Sequence, residues 1–398
     1  MGVKEVKLKE LLLVFRNGAS IKQFEGAEGL PITRIETISD ATINPLKVGY
    51  ANIFDDKYQD YYLQEGDILL SHINSVTHLG KCAIYTNPID KLIHGMNLLM
   101  LRANKDLILP KYLYYVLNSK QFKVQLPKIT KKSVNQASMT VTDIGNLKLL
   151  IEEDLEQQQK VVEILDKADE IRAKKKLAND KLDELIDSKF IELFGNPEVN
   201  PYNWTVKRLE DVTTKITDGV HSKPVYTNNG VPFISVKDIT TKKLLFNDCK
   251  YVSQEAHTNY CKRCKPEYLD ILYTKVGATY GRACVVDTKE EFSLYVSVAL
   301  IKPKKDIINS FFLKAVLNTD CVKRQADKRI KGIGVPDLHL VEIKNFVIPV
   351  PPIEEQHKFI AIVEKVEEQK QKNLQVIEQM DNLFNSLSQR VFKGELGT

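Results

Sequence analysis

The second half of this 398-residue chain repeats the first at an offset of about 200 residues, and a duplication decides architecture before local propensity does. Gly29-Leu-Pro31-Ile-Thr-Arg-Ile35-Glu-Thr-Ile38 returns as Gly230-Val-Pro232-Phe-Ile-Ser-Val236-Lys-Asp-Ile239, with glycine, proline and apolar positions in register. Asp67-Ile-Leu69-Leu-Ser71 returns as Asp270-Ile-Leu272-Tyr-Thr274, and each is followed by a Gly-basic pair, Gly80-Lys81 or Gly281-Arg282. Val116-Leu117-Asn118 matches Val316-Leu317-Asn318, and Leu155-Glu-Gln-Gln158-Gln-Lys160 matches Ile353-Glu-Glu-Gln356-His-Lys358.

Each copy opens with short runs of Ile, Val, Leu and Tyr between Gly, Pro, Asn and Asp clusters, the pattern of strands and turns. Helical spacing of Leu and Val predicts one helix from Pro110 to Leu126 and its counterpart from Asn309 to Ala326. Each copy then changes period. Ile164, Ala168, Ile171, Lys175, Ala178, Leu182 and Leu185 step by four and three, as do Ile362, Val366, Gln369, Asn373, Val376, Met380 and Leu383. Such narrow heptad seams cannot be buried by one helix, so the two helices are expected to pair. Lys175 and Asn373 fall near the middle of the seams, where they either fix register or sit at solvated edges.

The expected fold is therefore α+β: two tandem mixed α/β domains, over 1–152 and 196–350, separated by long helices over 153–195 and 351–398 that form an antiparallel coiled coil with an approximate internal two-fold. Gly195 and Pro197 stop the first helix. About 35 residues at 1.5 Å each would make a rod of about 50 Å, roughly one and a half turns of a DNA duplex.

Charge follows the same division. Lys and Arg exceed Asp and Glu by 5 over residues 1–150 and by 7 over 196–350, whereas the stretches 151–195 and 351–398 carry −5 and −2. Two basic blocks separated by acidic helices are the footprint of two phosphate-facing surfaces.

Enzymatic signatures fail one by one. Asp337 and Glu342-Ile-Lys344 imitate a nuclease metal site but are too close in sequence to occupy neighbouring strands, and Asp143 and Gly145 replace Glu342 and Lys344 in the first copy. Asn200-Pro201-Tyr202 lacks the second proline of an amino-methyltransferase motif. Neither a Walker phosphate loop nor a GxSxG elbow occurs. Six cysteines, five of them in the second half, make no disulfide framework. Cys261 and Cys264, with Cys249 and His257 nearby, leave a zinc site open, but no second cysteine pair supports it and no metal is assigned. No apolar run approaches the roughly 20 residues that cross a bilayer, and the N-terminus lacks a signal-peptide core, so a cytoplasmic location is expected.

Polar, basic, glycine-bearing loops recur at equivalent places in the two basic blocks, and side chains of this type read base edges and hold phosphates. The candidates in the first copy are Lys22, His72, Asn74, Lys81, Lys128, Lys131, Lys132, Asn135 and Gln136. Those in the second are His221, Lys223, Lys275, Thr279, Tyr280, Arg282, Lys328, Arg329 and Lys331. Ordinary solvated loops would have the same composition; recurrence in both copies is what favours contact. A two-domain coiled-coil scaffold with incidental basic faces is the alternative reading.

Pro352-Ile-Glu-Glu-Gln356, its weaker copy Leu155-Glu-Gln-Gln158, Gly230-Val-Pro-Phe-Ile-Ser-Val-Lys-Asp238 and Asp270-Ile-Leu-Tyr-Thr-Lys-Val-Gly-Ala-Thr-Tyr-Gly281-Arg282 resemble the specificity subunit of type I restriction-modification systems across the whole chain. The first copy departs from the pattern, having no proline before its helix and His72-Ile-Asn-Ser-Val-Thr-His78-Leu-Gly80 in place of the Gly-Ala-Thr-Tyr-Gly run. The resemblance implies a non-catalytic subunit of a methyltransferase/endonuclease complex. Its two target recognition domains would each read half of a split, asymmetric DNA sequence, and its helices would set the gap. It further implies docking of two methyltransferase subunits and of restriction/translocase subunits, with S-adenosylmethionine, ATP and Mg bound by those partners and no cofactor on this chain.

Overall fold

The computed structural model describes residues 2–39, 41–133, 136–330 and 334–392. The chain divides into two compact units, one of residues 1–176 and 374–398, the other of residues 177–373. Each contains one mixed domain and parts of both long helices, Leu155–Phe194 and Ile353–Phe392.

In the first unit, strands Leu12–Asn17, Leu98–Ala103, Ile68–Ser71 and Cys82–Ile84 form an antiparallel sheet in that spatial order. Alternate residues of the central strands feed two separate cores, as the period of two dictates. Ile68, Leu70, Leu99 and Leu101 pack with the helix Pro110–Asn118 and the start of the long helix. Leu69, Leu98 and Met100 pack on the other face with Ile38, Leu63 and Tyr85. The second unit repeats the order with Thr213–Asp218, Val298–Pro303, Ile271–Thr274 and Ala283–Val285. Ile271 and Tyr273 lie in one core, and Leu272 lies in the other.

Close backbone approach explains one repeated glycine. A Cβ on Gly18 would stand 2.2 Å from the Gly95 carbonyl oxygen, and one on Gly219 would stand 2.0 Å from that of Leu294. No side chain fits at either place, so the chain leaving the edge strand is held against the same neighbour in both units.

The first strand of each domain pairs with its last, Val3–Lys7 with Lys148–Glu152 and Thr205–Arg208 with Val347–Val350, immediately before each long helix. One buried glutamine then ties the helix to the domain. Gln158 accepts from the Leu109 N–H (2.8 Å) and donates to the carbonyls of Leu107 (3.2 Å) and Glu152 (2.7 Å). Gln356 accepts from the Asn309 N–H (2.8 Å) and donates to Ile307 (3.0 Å) and Pro351 (2.9 Å).

The single helices expected after residues 110 and 309 are interrupted. Pro110–Asn118 is followed by Lys120–Lys123 and Leu126–Ile129, and Ser310–Leu317 by Asp320–Asp327. At the breaks Ser119 and Thr319 turn to extended backbone and donate their hydroxyls to the carbonyls of Val116 (2.6 Å) and Val316 (2.7 Å).

The long helices pair antiparallel within each unit. Arg172 meets Asp381 at 2.9 Å in the first; in the second Asn373 donates to Asn179 at 2.8 Å and Lys370 to Asp183 at 2.5 Å. The seam differs from the expected one at five of its fourteen positions. Ala168, Leu182, Val366 and Met380 lie at least partly buried, as do Ala178, Ile362 and Val376. Ile164, Ile171, Leu185 and Leu383, however, are 43, 39, 39 and 39% exposed. Their places are taken by the next residues, Leu165, Arg172 and Ile186, and by Phe384; likewise Lys370 is buried where Gln369 was expected. The cause is chemical: this column includes Arg172, Asn179 and Lys370, whose charges and amides are partnered inside the seam, so a reading that follows apolar residues slips onto the flank.

Replacing Gln356 with Leu strands one buried donor and two acceptors, and is expected to cost about 3 kcal/mol or more in urea unfolding. A loss below about 1 kcal/mol would show that the amide is not the lock described.

Candidate nucleic-acid interface

In the first unit the strand Ile68–Ser71 runs into His72 and then into the short strand Ile73–Asn74. That strand pairs with Ala137–Ser138, which pairs in turn with Lys131–Lys132. The loop that carries His72 and Asn74 and the one that carries Lys128 to Gln136 are thereby joined in one small sheet, closed by Ser133, whose N–H and hydroxyl both donate to the Gln136 carbonyl at 2.7 Å. Lys128, Lys131, Lys132 and Gln136 are exposed on it, and Asn135 lies outside the described residues. Asn74 accepts from the Ser75 N–H at 2.7 Å. Lys22 is exposed on the third loop, next to Gln23, which accepts from Arg34 at 2.7 Å.

His72 points inward. It is buried, its Nδ1 meets no protein partner among the described residues, and burial pushes its pKa down to about 4, so the ring is neutral near pH 7. Lys81 is half-buried and donates to the Ser39 carbonyl at 3.1 Å. Its counterpart Arg282 donates to the carbonyl of Thr240, the equivalent residue. The two Gly-basic pairs thus fasten the same strand turn to the same short helix end in both units.

The second unit joins its loops differently. Val276 bridges to Asp337, Gly277 N–H donates to the Pro336 carbonyl (2.9 Å), and Leu338 N–H donates to that of Lys275 (2.8 Å). Lys275 is buried, with its ammonium 3.6 Å from Asp218 and 3.4 Å from Asp337. Asp218, also buried, accepts from Arg263 at 2.6 Å and lies 3.0 Å from His221 Nε2. Burying the Asp218 carboxylate is tolerable because cations from two other loops, Lys275 and Arg263, face it. Thr279 gives its carbonyl to the Thr274 hydroxyl (2.8 Å), while Tyr280 donates to Asp327 (2.6 Å) beneath the Lys323 ammonium. Arg329 turns back on its own helix, donating to the Gln325 carbonyl (3.2 Å) and lying 3.8 Å from Glu342. Lys223 and Lys328 are exposed, and Lys331 lies outside the described residues.

Arg263 escaped the sequence reading because it stands between Cys261 and Cys264, which drew attention as a metal spacing; its place in the basic run Lys262-Arg263-Cys-Lys265 was the available signal. Cys264 and Cys249 are packed in an apolar core, and Cys261 lies 3.5 Å from the buried His257, itself 2.9 Å from Ser293. Among the described residues no group of three or more His, Cys, Asp or Glu side chains is placed to hold a metal, and no helix is long and apolar enough to cross a membrane.

The duplicated scaffold is matched by the comparisons with known proteins. The family model described as type I restriction modification DNA specificity domain matches twice, over residues 1–182 and 201–379. The chain belongs to this family. The two matched stretches contain its two recognition domains. The putative type I restriction enzyme MjaX specificity subunit of Methanocaldococcus jannaschii is 34% identical over 376 residues, covering 88% of this chain and 83% of that protein. The type I restriction enzyme EcoBI specificity subunit of Escherichia coli is 29% identical over 224 residues, 54% of this chain and 47% of the relative. In fold, the specificity subunit resembles the S subunit of a type I restriction-modification system from M. genitalium, with 13% identity, 98% of this chain and 96% of that one covered, and a TM-score of 0.50. A chain from a structural study of assembly and conformational transition of the type I R-M system is similar over 99% of this chain and 98% of its own, with 18% identity and a TM-score of 0.55.

The first recognition domain carries an acid sensitivity that follows from its buried imidazoles. His94, buried near His72, donates from Nε2 to the Leu98 carbonyl (3.0 Å), and its pKa is likewise pushed down to about 4, chiefly by burial. The ordinary value is 6.5, so the unfolded chain takes up these protons first as pH falls. Stability is lost between about pH 6.5 and pH 4 and is untouched by these groups above about pH 7. A variant carrying His72→Gln and His94→Gln should lose less stability than the parent between about pH 7 and pH 5 in urea titrations, and equal losses would refute the assignment.

Proposed function

We propose that each recognition domain reads one half of a split, asymmetric DNA sequence, and that the paired helices set the gap between the halves. The observation that carries this is the difference between the two domains at one place on a shared scaffold. Where the second has Asp218, Lys275 and Arg263 in an ion-paired cluster, the first has Asn17 and a neutral His72. One scaffold with two unlike reading surfaces suits a target whose halves differ. The exposed Lys128, Lys131 and Lys132, and Lys223 and Lys328, would hold phosphates, which orient the protein on the duplex without selecting sequence.

The chain performs no catalysis in this reading. Two methyltransferase subunits would dock on the helices, a role supported by the apolar flank that Ile164, Ile171 and Leu185 leave exposed beside the seam. Restriction/translocase subunits would join them. S-adenosylmethionine, ATP and Mg would be bound by those partners.

Co-expression with the methyltransferase subunit, followed by mapping of methylated adenines across a genome, tests the proposal. Methylation confined to one split motif, and lost when this chain is omitted, is expected. Methylation that is unchanged without the chain would contradict it. A K128A/K131A/K132A variant should bind all duplexes more weakly and reduce the slope of log affinity against log salt by about 2 to 3, whereas an unchanged slope would remove these lysines from the interface.

A further inference from the structure

The second recognition domain contains an arginine whose every attachment leaves its reading edge free. Arg263 follows the helix Gln254–Cys261. Its N–H donates to the Tyr260 carbonyl (3.2 Å), and its own carbonyl accepts from the Lys215 ammonium (2.7 Å). Its guanidinium uses one nitrogen, Nη2, to reach Asp218 at 2.6 Å, and the same nitrogen lies 3.1 Å from His221 Nε2. Nε and Nη1 have no partner among the described residues, and the side chain is 57% exposed. It stands on the rim of an open recess of about 290 Å³ whose lining includes His221, Ser222, Asn259 and Tyr260.

Asp218 is what holds it. The carboxylate is buried at the end of the strand Thr213–Asp218, next to Gly219, whose backbone is packed against Leu294, and its other oxygen faces Lys275 at 3.6 Å. A guanidinium fastened to a fixed carboxylate through one Nη2 hydrogen loses little further freedom on binding; with His221 Nε2 donating to Asp218, the second Nη2 hydrogen remains to form a planar fork with Nη1 or Nε. Guanine, with O6 and N7 side by side in the major groove, is the base edge that matches such a fork.

We propose that Arg263 reads a guanine in the half-site of the second recognition domain and that Asp218 is its positioning residue. This rests on the reading of that domain as a DNA-recognition module. The first domain has Asn17 in place of Asp218, so it has no carboxylate at that position to hold an arginine.

The test uses the full chain in complex with its methyltransferase subunit, its own motif once mapped, and duplexes in which each base pair of that motif is changed in turn. R263K keeps the charge and removes the fork; R263A removes both and leaves the buried Asp218 carboxylate facing Lys275 and His221. For both, preference for guanine at one position of the second domain's half-site should fall about 10- to 100-fold, with every other position unchanged. D218N should relax the same position, and so should D218N combined with K275M, which leaves no buried ammonium beside a neutralised partner. Thermal melts establish that each variant is folded. Unchanged base preference in R263K and R263A would overturn the assignment of Arg263. A uniform loss of affinity with a salt slope lower by about 1 would make it a phosphate contact and also overturn it. Full guanine preference in the folded D218N/K275M variant would overturn the role of Asp218. Absence of any sequence preference in the unmodified complex would instead remove the underlying reading of the domain, a result distinguishable from all of these.

Discussion

A buried primary amide at the first turn of each long helix is the interaction on which the remaining architecture depends. Gln158 and Gln356 each satisfy one backbone donor and two backbone acceptors drawn from the domain that precedes the helix. Glutamate has no donor to give and asparagine is one methylene shorter, so neither reproduces the set. Because stranded polar groups in a closed interior cost free energy, the helix leaves its domain in one direction only. Around this point the apolar contacts accumulate: Leu165, Phe384 and Leu387 on the first domain's core, and Phe190, Phe194 and Phe359 about Phe312 in the second, with ring centroids 4.8 to 5.8 Å apart.

With direction set by the lock, the domains are free to differ where they meet a ligand. The sheets, their order and the Gly18 and Gly219 approaches are shared. The cations are divided between two tasks. Lys81, Arg282 and Lys275 are held inside, fastening loop to loop, while Lys128, Lys131, Lys132, Lys223 and Lys328 face solvent. Inward cations fix loop geometry, and on the proposed reading the outward ones would supply the field that attracts a polyanion.

The duplication made most of the architecture legible in the sequence, since Gly-Pro turns, Asp-Ile-Leu strands and the two Gln-bearing helix starts recur in order. The helix seam was legible in one column and not in the other. Ala168, Leu182, Val366 and Met380 are where apolar spacing puts them, whereas Arg172, Asn179 and Lys370 enter the seam through partners, Asp381, Asn373 and Asp183, that lie about 190 to 210 residues away in sequence. The same blindness affected the loops. Nothing local distinguishes Lys275, at the end of a buried strand opposite Asp218, from an exposed lysine such as Lys328, because the carboxylate that captures it comes from another strand. Arg263 was hidden for the opposite reason, being flanked by cysteines that suggested different chemistry.

On the proposed reading, with each recognition domain held to its helix by a glutamine lock, the length of the helical pair would set the gap on the DNA. Excision of one heptad from each long helix, residues 174–180 and 373–379, removes facing segments and the Asn179–Asn373 pair together. At 1.5 Å per residue the pair shortens by about 10 Å, close to 3 base pairs. Mapping the methylated motif of the excised variant in its complex is the most direct measurement. A gap shortened by about 3 base pairs between unaltered half-sites is the expected result, and an unaltered gap in a folded, active complex would contradict the account.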